Sequence, residues 1–248
     1  GYELYGVGIP KTVDNDLYGT DHAPGYPSAA RYVALTAQQA GRLASDMRRV
    51  DRFAILQTVG RDAGWLAAAA ALARRKEGEP PHLIYVPERA LTRDELLSDV
   101  TATIDKFGWA YLVVGEGLLW EDGTPVSASQ AADKFSNIEF GAMGGASAAA
   151  NIHRLIHEET GYRGEFQIPE SMVMAGADRV ADLDRREAFR AGQRGAALAA
   201  GGESGVMVTI ERLESATYST QNGTIPLHEV ANATKRMPDE MVAPGGVT

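Results

Sequence analysis

The sequence predicts an α/β fold of doubly wound parallel sheets, with helices covering both faces as in Rossmann-type αβα layers. The first observation is a set of three strand-like runs, "RFAILQTVG" at 52–60, "HLIYVPE" at 82–88 and "WAYLVVGEG" at 109–117. The first and third are almost continuously apolar, which is typical of parallel strands buried on both faces. The second observation is that helix-like segments separate these runs at regular spacing. With 248 residues, the chain is long enough for one large or two modest domains.

The individual elements follow from local patterns. The opening "YELYGVGIP" predicts a short strand that ends at Pro10, which has no N–H to donate. A long helix is expected to begin near Pro27 and to bury a stripe of alanine and valine residues. Thr92 is the predicted N-cap of a helix, with Glu95 in the capping-box position. Gly161 is the predicted end of a later helix, "ASAAANIHRLIHEETG".

The pattern weakens between residues 118 and 145, where we expect a surface insertion. Beyond it the sequence predicts a helix in "DRREAFRAGQRGAALAAGG", a strand in "GVMVTIER" and a short terminal helix in "IPLHEVANATKRMP". Met172 and Met174 are interpreted as buried residues of a strand or an extended run.

Composition limits the possible classes of function. The formal net charge of −9 argues against a general nucleic-acid-binding surface. Cysteine is absent, which excludes disulfides and thiolate metal sites and fits a reducing cytoplasm. No apolar window reaches the length of a membrane span, and no signal segment opens the sequence. Because the sequence starts without Met and almost directly with a strand, we expect a longer protein of which this is the later part.

Polar residues follow the predicted strands at the point where each strand ends. The first group occupies "GIPKTVDND" and comprises Lys11, Thr12, Asp14 and Asp16, and later strands are followed by Gly60, Arg61, Glu88 and Glu116. Ligands of open α/β sheets bind at the carboxyl ends of the strands, so these groups predict a binding site there. The alternative is that threonine, aspartate and asparagine serve only as turn and N-cap residues.

Several motifs resemble those of the 6-phosphofructokinase family. They are "GIPKTVDND", "GTDHAPGYPSAA", "VGRDAGWLAA", "YVPE" and "ETGY", in this order. The closing "PLHEVANATKRMP" is similar to the pyrophosphate-dependent bacterial branch of the family. The resemblance runs over almost the whole chain and is loosest in residues 118–145. It implies a phosphofructokinase-like fold that lacks the family's amino-terminal half, which carries the glycine-rich phosphoryl-donor loop and a metal motif.

For the "KTVDND" segment, the resemblance implies phosphoryl transfer to a sugar hydroxyl. Asp14 would be the base that accepts the hydroxyl proton, and Asp16 would orient it or take part in binding Mg²⁺. Thr12 would hydrogen-bond the phosphoryl group during transfer. Lys11 stands where ATP-using relatives usually carry glycine, and it implies pyrophosphate as the donor, a compact anion that an ammonium group suits. Without the resemblance, Lys11 would be interpreted as a solvated loop cation.

For the sugar phosphate, the resemblance implies residues from two subunits. Arg61, which follows Gly60, would contact the phosphate, and Glu88 would accept hydrogen bonds from sugar hydroxyls. Arg52 has the family spacing of an arginine that reaches the 6-phosphate bound by a neighbouring subunit. This implies a homo-oligomer, at least a dimer, with a shared active site. The alternative for Arg52 is a solvated side chain at the start of a strand.

The sequence departs from the family pattern in "FQIPESMVMAGADRVADLD". Where the family has an aromatic residue or histidine and, three positions later, a phosphate-binding arginine, this chain has Ser171 and Met174. A lost charge-assisted contact of that kind costs roughly 1.5–3 kcal/mol. Arg163 or Arg179 would have to substitute, or else the acceptor sugar differs or fructose 6-phosphate binds weakly.

The sequence therefore predicts a phosphotransferase that moves a phosphoryl group from pyrophosphate to the 1-hydroxyl of fructose 6-phosphate. We expect residues 1–24 to end a donor domain, 25–164 to form a sugar-phosphate-binding domain, and 165–248 to return to the donor domain. Three alternatives stay open. They are a kinase for a different sugar phosphate, a non-catalytic regulatory subunit that binds a sugar phosphate, and a sensing module without phosphoryl chemistry, which leaves Asp14 without a purpose.

Overall fold

The computed structural model describes residues 4–127, 147–243 and 246–247. Strands and helices alternate through most of this range, and a 3₁₀ turn at 70–73 extends the second helix. In chain order the elements are β1 (Val7–Gly8), α1 (Tyr26–Met47), β2 (Phe53–Thr58), α2 (Trp65–Ala69), β3 (Leu83–Tyr85), α3 (Arg93–Phe107), β4 (Ala110–Gly115), α4 (Ala148–Thr160), β5 (Gly164–Gln167), α5 (Met172–Ala175), α6 (Asp182–Ala200), β6 (Val206–Arg212), β7 (Thr220–Pro226), α7 (Leu227–Val230), β8 (Val242–Ala243) and β9 (Gly246–Val247).

The larger sheet has four strands in the order β3-β4-β2-β5, and every pairing in it is parallel. All residues of β2 and β4 are buried, because helices cover the sheet on both sides. On one face α1 and α2 pack through Val33, Ala37 and Leu66. On the other face α3 and α4 pack through residues such as Val100 and Ile152. The predicted doubly wound α/β architecture is confirmed.

The smaller sheet joins the two ends of the chain, in the order β1-β6-β7. β1 pairs with β6 in parallel, with Val7 opposite Val206, and β7 pairs with β6 in antiparallel. Helix α6 covers this sheet, and its Ala191 and Leu198 form a small core with Val208. The loop that follows β1 is therefore held beside the later part of the chain.

Several local predictions are confirmed. The side chain of Thr92 accepts a hydrogen bond from the backbone N–H of Glu95 at 3.0 Å and caps α3. Gly161 ends α4 in the left-handed conformation, with φ of 72°. The parts of the expected insertion that are described, 118–127, include the buried side chains of Leu118 and Val126, and 128–146 lie outside the described residues.

One expectation about the later part of the chain is wrong. Met172 and Met174 lie on the short helix α5 instead of in a strand, and both side chains are more than half exposed. The expected short terminal helix is present as the four-residue α7, and it is preceded by a strand, β7, that was not predicted. In both places contacts come from distant segments, since Val173 of α5 packs in the core with α1, and β7 is held by β6.

A carboxylate on α6 caps the long helix of the larger sheet. The buried side chain of Asp184 accepts hydrogen bonds from the backbone N–H of Gly25 at 2.9 Å and of Ser28 at 3.1 Å. It also accepts one from the Ser28 hydroxyl, which in turn accepts from the N–H of Ala181 at 3.0 Å. Negative charge at a helix N-terminus satisfies free N–H groups and is favoured by the helix dipole. The first residues of α1 and α6 are thus joined directly.

Within the described ranges, none of the helices has both the length and the apolar character that a membrane span requires.

Candidate active site

The loop after β1 carries the first group of polar residues in a fixed conformation. Thr12 forms a parallel bridge with Gly25, and its hydroxyl accepts a hydrogen bond from the backbone N–H of Asp14 at 3.1 Å. Asn15 adopts the left-handed conformation with φ of 59°, and its side chain is buried. A non-glycine residue in this conformation is strained and persists only when its surroundings hold it. Its neighbours, Asp14 and Asp16, are both partly exposed.

The surroundings that hold Asn15 include a lysine from the other end of the chain. Asn15 Oδ1 accepts hydrogen bonds from the N–H of Ala23 at 3.2 Å and from Nζ of Lys235 at 3.0 Å. Burial lowers the pKa of Lys235 to about 8, while the charges of Asp21 and Asp16 oppose this shift. The ammonium form therefore predominates at neutral pH. No feature of the sequence pattern distinguished Lys235 from a solvated lysine.

The electrostatic surroundings of Asp14 mix both signs of charge. Burial raises the pKa of Asp14 above its usual value, and the adjacent carboxylate of Asp16 raises it further. The positive charges of Arg61 and Lys11 lower it, and Asp62 gives a smaller increase. A carboxylate whose pKa is raised by burial, and which still faces cations, is suited to accept a proton beside an anionic ligand.

The loop after β2 places Arg61 at the carboxyl edge of the larger sheet, close enough for its charge to act on Asp14. Gly60 has φ of 123°, and a Cβ there would lie 2.7 Å from the carbonyl oxygen of Ala63, so this tight turn requires glycine. A Cβ on Gly117, in the loop after β4, would collide with the carbonyl group of Arg61. The two loops are therefore in direct contact, and Arg61 is exposed at their rim.

Glu116 follows β4 and lies beside this turn. Its carboxylate is 7% exposed and accepts a hydrogen bond from the N–H of Gly60 at 3.1 Å. Burial raises the pKa of Glu116 to about 7, with smaller contributions from Glu170 and Asp14 in the same direction and from Gly60 and Arg61 in the opposite one. Glu116 was one of several polar residues at predicted strand ends, and its place in "GEG" after a buried strand was the signal for it.

Glu88, which follows β3, uses its carboxylate differently. It accepts hydrogen bonds from the N–H of Gly64 at 2.9 and 3.0 Å and from the N–H of Met237 at 2.9 Å. These contacts tie the start of α2 to the C-terminal segment. The charges that shift the pKa of Asp14 include those of Asp16 and Arg61, and Glu88 is not among them.

A cavity of about 420 Å³ opens on one side of the loop after β1. The residues that line it include Lys11, Met174, Gly25, Asp184 and Arg185. Ser171 begins α5, and its carbonyl accepts a hydrogen bond from the N–H of Met174 at 2.9 Å. A larger cavity of about 660 Å³ lies between α6 and β7, and none of the residues of the loop after β1 line it.

The remaining candidate arginines lie elsewhere. Arg52 precedes β2, and its backbone N–H donates to the carbonyl of Arg163 at 2.7 Å, so both lie at the amino-terminal edge of the larger sheet, whereas Arg61 lies at its carboxyl edge. Arg163 is exposed, with Nε 3.8 Å from a carboxylate oxygen of Asp51. Arg179 donates to Thr36 Oγ1 and Gln39 Oε1, both at 2.9 Å, on α1. These arginines do not share the cavity with Met174.

For a metal ion, the described ranges contain no cluster of three or more histidine, aspartate or glutamate side chains. The mutual effect of Asp14 and Asp16 nevertheless shows two carboxylates close enough to repel each other. Mg²⁺ usually binds through one or two carboxylates together with water and substrate phosphates. The pair fits such a site, and a closed protein site is not expected among the described residues.

Comparisons with known proteins agree with one another. A family model described as phosphofructokinase matches residues 2–198. The chain is 33% identical over 99% of its length to the pyrophosphate–fructose 6-phosphate 1-phosphotransferase of Halomonas elongata. It is also 33% identical over 98% of its length to the sulfofructose kinase of Alkalicoccus urumqiensis. The crystal structure of pyrophosphate-dependent phosphofructokinase from Nitrosospira multiformis superposes on the whole chain with a TM-score of 0.86 at 31% identity.

All of these relatives are longer than the chain. It spans 58% of the Halomonas elongata protein, 61% of the Alkalicoccus urumqiensis protein and 58% of the Nitrosospira multiformis structure.

Proposed function

The chain belongs to the phosphofructokinase family, and on this premise we propose that the whole protein transfers a phosphoryl group from pyrophosphate to the 1-hydroxyl of fructose 6-phosphate. The observation that carries the proposal is the partly buried Asp14, which lies near Lys11 and near Arg61 at the carboxyl edge of the parallel sheet. The relatives with pyrophosphate and fructose 6-phosphate in their names support both substrates.

In the proposed reaction the oxygen of the sugar hydroxyl attacks the phosphoryl group, and Asp14 accepts the hydroxyl proton. The phosphoanhydride bond of pyrophosphate breaks as the new bond forms, and orthophosphate leaves. Phosphoryl transfer needs little covalent help from the protein, and most of its catalysis is positioning and neutralisation of charge. Lys11 would bind the pyrophosphate, and the hydroxyl of Thr12 would hydrogen-bond the phosphoryl group. Arg61 would bind the sugar phosphate beside the turn at Gly60.

Mg²⁺, when bound with the donor, would supply further charge neutralisation for the phosphoryl oxygens. The repulsion between Asp14 and Asp16 supports a cation near this pair, and Asp16 is the residue that we propose for it. With Asp16 binding the cation, the carboxylate of Asp14 remains available to accept the proton of the sugar hydroxyl.

For the sugar hydroxyls we propose Glu116, with Glu88 kept as a second candidate. Glu116 lies beside Gly60 and influences the same carboxylate, Asp14, that would act as base. With a pKa of about 7, its carboxyl can donate or accept a hydrogen bond near neutral pH. The oxygens of Glu88 already bind two backbone N–H groups.

We also propose an oligomer in which Arg52 completes the site of a neighbouring subunit. Arg52 Nε is buried and has no hydrogen-bond partner among the described residues, and the guanidinium lies 5.6 Å from the ring centre of Tyr162. Its position at the amino-terminal edge of the larger sheet, away from the carboxyl edge that carries Arg61, supports a role in the site of a neighbouring subunit. For the domains, the shared sheet of β1, β6 and β7 supports the proposed return of the chain, but β5 pairs with β2, so the second boundary is placed after Gln167 instead of at 164.

A second candidate function differs in the acceptor. Met174 is exposed and lines the same cavity as Lys11, and neither Arg163 nor Arg179 lines it, although Arg185 does. The sequence identity to a sulfofructose kinase, 33%, equals that to the pyrophosphate-dependent enzyme of Halomonas elongata. A fructose that carries a sulfonate at carbon 6 is therefore the alternative acceptor.

The test is a kinetic comparison with the full-length protein. Pyrophosphate and ATP are offered as donors, each with fructose 6-phosphate and with 6-deoxy-6-sulfofructose. We expect turnover with pyrophosphate and fructose 6-phosphate, and a fall in kcat of roughly 10²–10⁴ in Asp14→Asn with little change in sugar affinity. Exclusive use of the sulfonated sugar would favour the second candidate, and no turnover with any pair would contradict both.

A further inference from the structure

Lys235 is a half-buried cation that joins the C-terminal segment to the loop after β1 and to the start of α2. It lies 220 residues after Asn15 in sequence, yet its Nζ donates to Asn15 Oδ1 at 3.0 Å. Nζ also donates to the carbonyl oxygens of Thr20 at 3.0 Å and Asp21 at 2.8 Å. An ammonium group has three N–H bonds, so all three have an acceptor within the protein. The Trp65 ring centre lies 5.3 Å from Nζ and adds a cation–π contact.

The backbone of Lys235 is attached to the same loop. Its N–H donates to the carbonyl of Asp16 at 2.7 Å, and Thr234 forms an antiparallel bridge with Leu17. On its other side the carbonyl of Lys235 accepts a hydrogen bond from Trp65 Nε1 at 3.0 Å. The side chain therefore extends from a backbone that is itself fixed, which limits the positions that Nζ can take.

The residue that Lys235 holds is the one between the two carboxylates. Asn15 has a strained left-handed backbone, and its Oδ1 accepts hydrogen bonds from Lys235 Nζ and from the N–H of Ala23. The φ and ψ angles of Asn15 set the relative directions of Asp14 and Asp16, because these residues flank it. Releasing the side chain of Asn15 would let the backbone relax and would move the Asp14 carboxylate.

We propose that Lys235 is a positioning residue for phosphoryl transfer, which acts through Asn15 on Asp14 and Asp16 without touching the substrates. The catalytic role of Lys235 rests on the proposed function, whereas its hydrogen bonds to the loop after β1 do not depend on that function. A displacement of about 1 Å at a reacting group lowers turnover by as much as roughly a hundredfold. The effect is expected in kcat, since binding of donor and sugar relies on Lys11 and Arg61.

The experiment compares Lys235→Met with Lys76→Met in the full-length protein. Both changes replace an ammonium with a thioether of similar length, but the Lys76 side chain is 77% exposed and only contacts Glu79. We expect Lys235→Met to lower kcat by about ten- to a hundredfold with KM values for both substrates close to wild type. In hydrogen exchange, amides of residues 12–23 should exchange roughly tenfold faster than in Lys76→Met.

A double-mutant cycle with Asn15→Ala tests whether Lys235 acts on Asp14 and Asp16 through Asn15. If Lys235 acts through Asn15, the double variant should be no slower than the slower single variant. Unchanged kcat in Lys235→Met, a rise in KM alone, or additive effects in the cycle would overturn the proposal. Should Lys235→Met not fold, Asn15→Ala and Lys235→Arg carry the same comparison, and failure of all three to fold would also overturn it. If wild type lacks phosphotransferase activity, the proposed function fails, while unchanged exchange in residues 12–23 contradicts the positioning role separately.

Discussion

In the wild-type chain, the free energy of unfolding should fall as the pH rises, because Glu116 loses its proton. Replacing Glu116 with Gln should abolish this fall. The carboxyl has a pKa of about 7 in the folded protein, against an ordinary value of 4.5, and burial is the main cause. Between these two values the folded state holds a proton on Glu116 that the unfolded state has released. The free energy of unfolding therefore falls as the pH rises through this window, and the contribution is constant above it.

The size of the effect follows from the shift. Each pKa unit corresponds to about 1.4 kcal/mol, and from about pH 5 to about pH 8 the expected loss is roughly 2–3 kcal/mol. In Glu116→Gln the amide oxygen can still accept the hydrogen bond from Gly60, but no charge develops. The stability of the variant relative to wild type should therefore rise by this amount over the same range.

Thermal unfolding measured across this pH range checks the prediction. For a chain of this size the relative melting temperature of Glu116→Gln should increase by about 5–10 °C between about pH 5 and about pH 8. The control is Glu121→Gln, which removes an exposed carboxylate five residues later and should give a difference that does not change with pH. A constant difference between Glu116→Gln and wild type would refute the reasoning, because Glu116 would then be ionised in both states.

Three further predictions concern the proposed reaction. Lys11→Gly should lower pyrophosphate use by roughly tenfold or more, the scale of one charge-assisted contact, and an unaffected variant would mean that Lys11 is a solvated loop cation. Met174→Arg should tighten fructose 6-phosphate binding by about tenfold in calorimetry, with little change in melting temperature because Met174 is exposed, and no gain would favour a different acceptor. Mixing Arg52→Ala with Asp14→Asn subunits should restore part of the activity that each variant lacks, and mixtures as inactive as their components would contradict a shared site.

Much of the fold could be predicted because its signals are local. Continuous apolar runs identified β2 and β4, and the cap of α3 at Thr92 depends on residues three positions apart. The strands β5 and β7 were missed since neither has a strand-like pattern. β7 contains an Asn-Gly pair and ends at Pro226, which are turn signals, and its pairing with β6 provides the order that its own sequence does not.

The candidate site divides in the same way. Asp14 and Arg61 could be found because they directly follow strands, and topology brings strand ends together. The role of Lys235 could not be found, because it depends on the meeting of Asn15 with a residue near the other end of the chain. The departure at Met174 was visible in the sequence, but its exposure in a cavity depends on how α5 packs against α1.

The hydrogen bonds of Asp184 to the first turn of α1 have a mechanical consequence for the cavity that Asp184 lines. Because its carboxylate fixes the first turn of α1 to the first turn of α6, a rotation of one sheet relative to the other would have its pivot there. Gly25 and Ser28, at the pivot, would hardly move, and both line the same cavity as Lys11 and Met174. Such a rotation would widen or narrow the cavity, while the part lined by Gly25 and Ser28 keeps its shape.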